Sequence, residues 1–207
     1  MGGARASGMV RFVPIQMNRA AAGPSKRAES DLYASLAGKR RPRTRIALQA
    51  ICRRVARADG VLASGHVDGR FLAGIARIAG EAGVRLLITH PDYLVPALSL
   101  SEQVALVEEF PWVMLERAAY VTSSGSPRPV PIVQIAEAIR ATGVRRNVVS
   151  SDLGQPRNPP YPDGLAAFVG HLRQAGFTRS ELMTMLIEGP ANLIGLSDRA
   201  RHPAPRR

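Results

Sequence analysis

The sequence predicts an α/β fold with about five parallel strands. The strand candidates are short runs that are apolar throughout, as expected of strands buried on both faces of a sheet. From residue 61 onward these runs begin at 61, 84, 112 and 147 and alternate with segments of helical periodicity, which is the spacing of repeated βα units. The 207 residues are 45% hydrophobic and 21% charged, a composition typical of a globular domain.

The elements follow in order along the chain. Strands are predicted over 9–15, 61–65, 84–89, 112–117 and 147–151. Residues 19–45 are predicted to form a long polar connection. Helices are predicted over 46–58, 69–82 and 100–110, from Pro131 to Gly143, from Pro162 or Asp163 to about Gly176, and in a last turn at 190–196. Two Ser/Thr-x-x-Glu capping boxes, Ser99 with Glu102 and Thr178 with Glu181, mark helix starts.

One domain is expected, over residues 9–196, between a disordered N-terminus (1–8) and a disordered basic tail (197–207). No apolar run is long enough for a membrane span, and the N-terminus lacks the apolar core of a secretion signal. The single cysteine, Cys52, fits a reducing compartment, and an activated thiol there is the weaker interpretation. We therefore expect a cytoplasmic protein with no membrane partner.

The charge is unevenly distributed. The net charge of +12 divides into +11 for residues 1–58, −3 for 59–198 and +4 for 199–207 when Lys and Arg are counted against Asp and Glu. The basic run at 39–45 could contact phosphates, but a solvated loop is the preferred interpretation, because aromatic residues make up only 5% of the chain and do not alternate with basic ones.

Three polar residues follow three of the predicted strands: His66, His90 and Asp152. Because the carboxyl ends of parallel strands meet at one edge of a sheet, we expect these side chains to converge. Two imidazoles and a carboxylate are typical ligands of a divalent metal ion. The sequence therefore predicts a metal site at this edge.

Glu116 is a further candidate, because a carboxylate in an apolar strand is costly unless it is paired or bound to metal. Two interpretations stay open: a metal ligand, or an ion pair with Arg117, Arg146 or a helix N-terminus. His171 is interpreted as a helix-face residue. Trp112, Met183 and Met185 are interpreted as core residues. In the helix predicted over 46–58, one apolar stripe is expected from Ile46, Leu48, Ile51 and Val55.

The segments Ala63–His66, Ile88–Pro91, Ser151–Asp152 and Gly189–Leu196 together resemble the amidohydrolase superfamily, in particular an uncharacterised branch of its metal-dependent hydrolases. The resemblance implies a (β/α)8 TIM barrel, of which residues 9–196 would form a part. It implies a divalent ion, zinc by preference, held by His66, His90 and Asp152, with Asp152 as general base. The substrate would be a small molecule with a C–N or C–O bond to hydrolyse.

The chain departs from that family in two respects: the family's bridging lysine or glutamate is not identified here, and the histidine pair of the first strand is absent. Members carry a His-x-His pair on the first strand, and no histidine precedes His66 here. The first three strands would be missing, through a late start site or a truncated gene, or a half-barrel would be completed by self-association as a homo-oligomer. Three hypotheses follow in order of preference: a metal-dependent hydrolase, inactive if truncated; a non-catalytic, self-associating fragment; and a weak nucleic-acid binder acting through its basic N-terminal segment.

Overall fold

The computed structural model describes residues 12–14 and 42–196. These residues contain a parallel sheet in the order β1-β2-β3-β4-β5. The strands are Phe12–Pro14 (β1), Val61–Ala63 (β2), Arg85–Ile88 (β3), Val113–Ala118 (β4) and Asn147–Ser150 (β5). Among these strands no pairing joins β5 back to β1, so the described sheet is open. The predicted α/β class with five parallel strands is confirmed.

Helices connect the strands. The α-helices of the described residues are Pro42–Arg57 (α1), Leu72–Glu81 (α2), Leu100–Glu109 (α3), Ile132–Thr142 (α4), Tyr161–Gln174 (α5), Arg179–Met183 (α6) and Gly189–Leu193 (α7). Short 3-10 turns lie at Gly69–Phe71, Ala119–Thr122 and Val144–Arg146, and one π-helical turn spans Thr184–Glu188. Both predicted capping boxes are present at the starts of α3 and α6. None of the described helices has both the length and the apolarity needed to cross a membrane.

The two faces of the sheet are covered differently. One face carries Leu62, Leu86 and Leu115, which pack in a core cluster with buried side chains of α1, α2 and α3. Further along the same face, Val149 of β5 packs in a second cluster with residues of α4 and α5. Helices α1 to α5 therefore form one layer on this face.

The opposite face carries Val61, Leu87 and Val148, which are buried against Leu193 of α7. Strand register places these three side chains on the same side as Glu116, because Glu116 pairs with Val148 and side chains alternate along a strand. The C-terminal helix thus covers part of the face that leads to Glu116.

Two details of the predicted core are wrong. Ile46 and Ile51 are 55% and 39% exposed, whereas Leu48, Cys52 and Val55 are buried. The latter three follow the i, i+4, i+7 spacing of one helix face. Ile46 lies on the other side of the helix, and Ile51 lies at the edge of the buried face.

The other wrong detail is Met183, which is 39% exposed while Met185 is fully buried; two residues along a helix differ by about 200° in direction. Helix α1 also begins at Pro42, so the basic run at 39–45 ends inside a helix rather than in a loop. The predictions for residues 1–8, for 197–207 and for the polar connection up to residue 41 lie outside the described residues.

Gly80 of α2 should resist substitution by alanine. A Cβ at Gly80 would lie 2.0 Å from the ring of Trp112, and that ring is held by a hydrogen bond from its Nε1 to the carbonyl oxygen of Ala76 (2.8 Å). We expect Gly80→Ala to lower the free energy of unfolding by about 1–3 kcal/mol through overpacking. Urea unfolding measures this.

Gly170→Ala in α5 is the matched control, because nothing lies within 4 Å of a Cβ there. It should leave stability unchanged or raise it by up to about 1 kcal/mol, since alanine is the better helix former. Equal unfolding midpoints for Gly80→Ala and the unsubstituted protein would contradict the described packing of Trp112.

Candidate functional site

The chain turns sharply where three strands end. Gly65, His90 and Asp152 all adopt the left-handed backbone region, with φ of 61°, 46° and 47°. For a residue with a side chain this conformation costs roughly 1–2 kcal/mol, and such residues concentrate at functional sites. These turns follow β2, β3 and β5, so the three predicted site residues do lie at the same edge of the sheet.

His90 is at the centre of the site. Its side chain is only 4% exposed, and its Nε2 lies 3.0 Å from Oδ2 of Asp152, to which it is hydrogen-bonded. Its Nδ1 lies 3.3 Å from Oε2 of Glu116 but has no aligned hydrogen bond. The two ring nitrogens of one buried imidazole therefore each face a carboxylate.

Glu116 belongs to this cluster. Ser150 of the neighbouring strand donates a hydrogen bond from Oγ to Oε1 of Glu116 (2.7 Å), and the Glu116 side chain is 16% exposed. Of the predicted alternatives, the ion pairs with Arg117 and Arg146 are not formed, because Arg117 pairs with Asp92 and Arg146 donates to the carbonyl oxygen of Pro111. Alternation along β4 explains this result, since Glu116 and Arg117 point to opposite faces.

His66 lies at the entrance to the cluster. Its ring centroid is 5.4 Å from that of His90, and its side chain is exposed. Partial burial of the ring and the neighbouring charge of His90 lower the pKa of His66, against the opposite effect of Asp152 and Glu116. For His90, burial lowers the pKa, but the hydrogen bond to Asp152 and the charges of Glu116 and Asp152 outweigh it and raise the pKa. The two imidazoles are thus shifted in opposite directions.

The contacts of His90 place a constraint on its surroundings. A neutral imidazole has one N–H and one lone pair. With a carboxylate at each ring nitrogen, one carboxylate of the Glu116–His90–Asp152 array faces that lone pair. The repulsion is relieved when the ring carries a second proton, or when a cation lies between the lone pair and its carboxylate.

The residues can be compared with what a divalent ion requires. A tetrahedral zinc ion with Zn–N bonds of about 2.1 Å places two ligand atoms roughly 3.3 Å apart and two imidazole centroids roughly 5 Å apart. Nε2 of His90 and Oδ2 of Asp152 are 3.0 Å apart, and the centroids of His66 and His90 are 5.4 Å apart. The donor chemistry of the three residues and the distance between His90 and Asp152 fit such an ion.

The complete ligand set is not assembled. Within residues 12–14 and 42–196, no three His, Cys, Asp or Glu side chains are placed so that they could hold an ion together as they stand. His90 and Asp152 are in position to share one, and His66 would have to turn inward to join them.

Arg117 follows Glu116 near the end of β4 and points to the opposite face of the sheet. It is 1% exposed, pairs with Asp92 and donates from Nε to Oδ1 of Asn147 (2.7 Å). Gln103 of α3 donates to the other oxygen of Asp92 (2.8 Å). Burial lowers the pKa of Arg117, against the charge and hydrogen bond of Asp92. Because Asp92 lies two residues after His90, this pair anchors the loop in which His90 turns.

Three residues at the site were missed from the sequence. They are Ser150, Asp92 and Tyr120. The backbone N–H of Tyr120 donates to the carbonyl oxygen of Ser151 (3.0 Å), and its ring contacts that of Tyr93 edge-on, with centroids 5.8 Å apart. Burial, hydrogen bonding with Tyr93 and the charges of Tyr93 and Asp152 raise the pKa of Tyr120.

The remaining candidates lie elsewhere. Cys52 is fully buried in the core, and burial raises the pKa of its thiol to about 11, which argues against the activated-thiol interpretation. His171 is exposed on α5, in agreement with its interpretation as a helix-face residue.

One family matches part of the chain. It is a family of unknown function (DUF6282), and the match covers residues 17–116, just under half of the sequence. The matched stretch includes His66, His90 and Glu116 and ends before Asp152. No curated protein matches the chain. The similarity therefore names no activity, and the function has to be argued from the site.

Replacing Arg117 should be costly. Arg117→Ala leaves the Asp92 carboxylate without its buried partner, and losing one member of a buried pair costs about 3–5 kcal/mol. The matched control is Arg77→Ala, because Arg77 and Glu109 form an ion pair whose side chains are 60% and 54% exposed; exposed pairs contribute about 0–1 kcal/mol. Urea unfolding of both variants measures the difference, and similar losses would contradict the structural role given to Arg117.

Proposed function

We propose that the chain is a metal-dependent hydrolase of the amidohydrolase type, built on part of a (β/α)8 barrel. Two features support the barrel. The strands are ordered sequentially, β1 to β5, whereas a doubly wound sheet reverses its strand order at a switch point. The helices α1 to α5 pack on one face of the sheet, as the outer layer of a barrel does, rather than on both.

The array of Glu116, His90 and Asp152 carries the functional part of the proposal. A buried imidazole with a carboxylate at each nitrogen favours a positive charge at the ring. His90 and Asp152 would hold a divalent cation that supplies this charge, and the Asp152 side chain is 39% exposed and so accessible to a substrate. His66 would supply a further nitrogen ligand from the neighbouring strand end.

His66, His90 and Asp152 would hold the ion, with zinc as the preferred metal. When bound, it would lower the pKa of a water molecule toward neutrality and polarise the substrate carbonyl. Asp152 would accept the proton of the attacking water and deliver it to the departing nitrogen or oxygen. The hydroxyl would be added to the electrophilic carbon as the C–N or C–O bond breaks.

The substrate would be a small molecule reaching the site over the loops that follow the strands, where barrel enzymes place their specificity. Tyr120 lies in the 3-10 turn that follows β4, and its backbone N–H donates to the carbonyl oxygen of Ser151, the residue before Asp152. It would donate a hydrogen bond to the substrate. His90 is buried and would contact the ion and the two carboxylates rather than solvent.

Zinc binding tests the proposal. Isothermal titration of the metal-free protein should give one zinc ion per chain, and His66→Ala and Asp152→Asn should each weaken or abolish this binding because a ligand is removed. His171→Ala is the matched control, since it removes an exposed imidazole outside the site and should leave the affinity unchanged. Equal zinc binding by all four proteins, or none by the unsubstituted chain, would contradict the proposal.

A second candidate function is a non-catalytic, self-associating protein. The open edges of the described sheet favour it, because unpaired strand edges promote association. The burial of Val61, Leu87 and Val148 under α7 argues against it, because this part of the sheet face is already covered within one chain. Sizing chromatography with light scattering separates the two: a monomer that binds zinc supports the hydrolase, and an oligomer without zinc supports the alternative.

The nucleic-acid hypothesis concerns residues 1–45, most of which lie outside the described residues.

A further inference from the structure

One ring nitrogen of His90 lacks an aligned hydrogen bond. Nδ1 is buried and makes no aligned hydrogen bond, although Oε2 of Glu116 is 3.3 Å away. With the ring proton on Nε2, which faces Asp152, the Nδ1 lone pair would point at a carboxylate. With the proton on Nδ1, Glu116 becomes its acceptor and the Nε2 lone pair faces Asp152 instead, on the side where a cation could be shared.

Ser150 holds the carboxylate of Glu116 in position next to Nδ1 of His90. The Ser150 hydroxyl donates to Oε1 (2.7 Å), and this bond leaves Oε2 for the imidazole. Both residues project from adjacent strands, β4 and β5, whose pairing runs from Leu115 with Asn147 to Ala118 with Ser150. The carboxylate is therefore positioned by the sheet itself rather than by a loop.

Glu116 and Asp152 lie at opposite nitrogens of the same ring. An ion held by His90 and Asp152 would therefore lie away from Glu116. The two carboxylates would therefore have different roles. Asp152 would contact the ion at Nε2, and Glu116 would accept the proton of Nδ1 on the other side of the ring.

We propose that Ser150 and Glu116 form a relay that keeps the proton of His90 on Nδ1 and so presents Nε2 to a divalent cation shared with Asp152. This inference rests on the proposed function and deepens it. Glu116 is then a positioning residue, not the additional metal ligand that the sequence also allowed, and Ser150 positions Glu116. Carboxylate partners of metal-bound histidines orient the ring and raise its basicity, and their loss typically costs 10–100-fold in metal affinity.

Zinc affinity tests the relay with matched variants. Glu116→Ala should weaken zinc binding by about 10–100-fold, and Glu116→Gln should restore part of it, because the amide oxygen still accepts a hydrogen bond. Ser150→Ala should weaken binding less than Glu116→Ala does, and Ser150→Thr, which keeps the hydroxyl, should bind as the unsubstituted chain does. Circular dichroism and thermal unfolding identify any variant that fails to fold.

The second readout is the protonation of the ring itself. Long-range ¹H–¹⁵N spectra of the zinc-loaded, ¹⁵N-labelled protein should show the His90 proton on Nδ1, with the signals assigned beforehand in the metal-free protein from His66→Ala and His171→Ala. In the metal-free protein, Glu116→Ala should shift the Nδ1 resonance of His90 more than the Nε2 resonance.

The two proposals fail in different ways. Zinc binding that is equally tight in Glu116→Ala, with an unchanged Nδ1 resonance, overturns the relay and leaves the metal site intact. Zinc bound to Nδ1, or complete loss of binding in both Glu116→Ala and Glu116→Gln, makes Glu116 a ligand and also overturns the relay. A chain that binds no zinc but shows the Nδ1 shift overturns the proposed function and leaves the contact between Glu116 and His90 standing.

Discussion

The site depends on one interaction, the placement of a buried imidazole between two carboxylates. His90 has Asp152 at 3.0 Å from one nitrogen and Glu116 at 3.3 Å from the other. Neither carboxylate is close to His90 in sequence, so the parallel sheet has to bring strands β3, β4 and β5 into register before the array exists. The left-handed turns at His90 and Asp152 then direct the side chains toward each other. The backbone at His90 and at Asp152 therefore adopts an unfavourable conformation, and these two conformations bring the charged side chains together.

The polar groups on the two faces of β4 have different tasks. Glu116 points to the face that carries the site, and its next neighbour, Arg117, points into the helix layer, where it pairs with Asp92. The buried ion pair fixes the loop that follows β3, and His90 is at the beginning of that loop. Packing of the core and geometry of the site are thus linked through adjacent residues of one strand. Replacing Arg117 on the helix side of β4 is therefore expected to move His90, although the two side chains are not in contact.

Much of this arrangement could be predicted from the sequence, and the reasons are physical. Apolar runs at βα spacing identified the parallel sheet, and the carboxyl ends of parallel strands necessarily meet, so His66, His90 and Asp152 were correctly expected at one edge. The roles of Glu116 and Ser150 could not be predicted from the sequence. Their partners lie on neighbouring strands, and the strand register that brings them together is not evident from the sequence. Alternation alone could have excluded an ion pair between Glu116 and the residue that follows it.

The central claim is that a divalent cation belongs between Nε2 of His90 and Asp152. The most direct measurement is an anomalous difference map, collected at the zinc absorption edge, from crystals of the full chain grown with zinc. The account predicts one peak within about 2.0–2.2 Å of Nε2 of His90 and of a carboxylate oxygen of Asp152, with the His66 ring turned toward it and Glu116 at Nδ1. A map without a peak at this position, or with a peak between Glu116 and Nδ1, would contradict it.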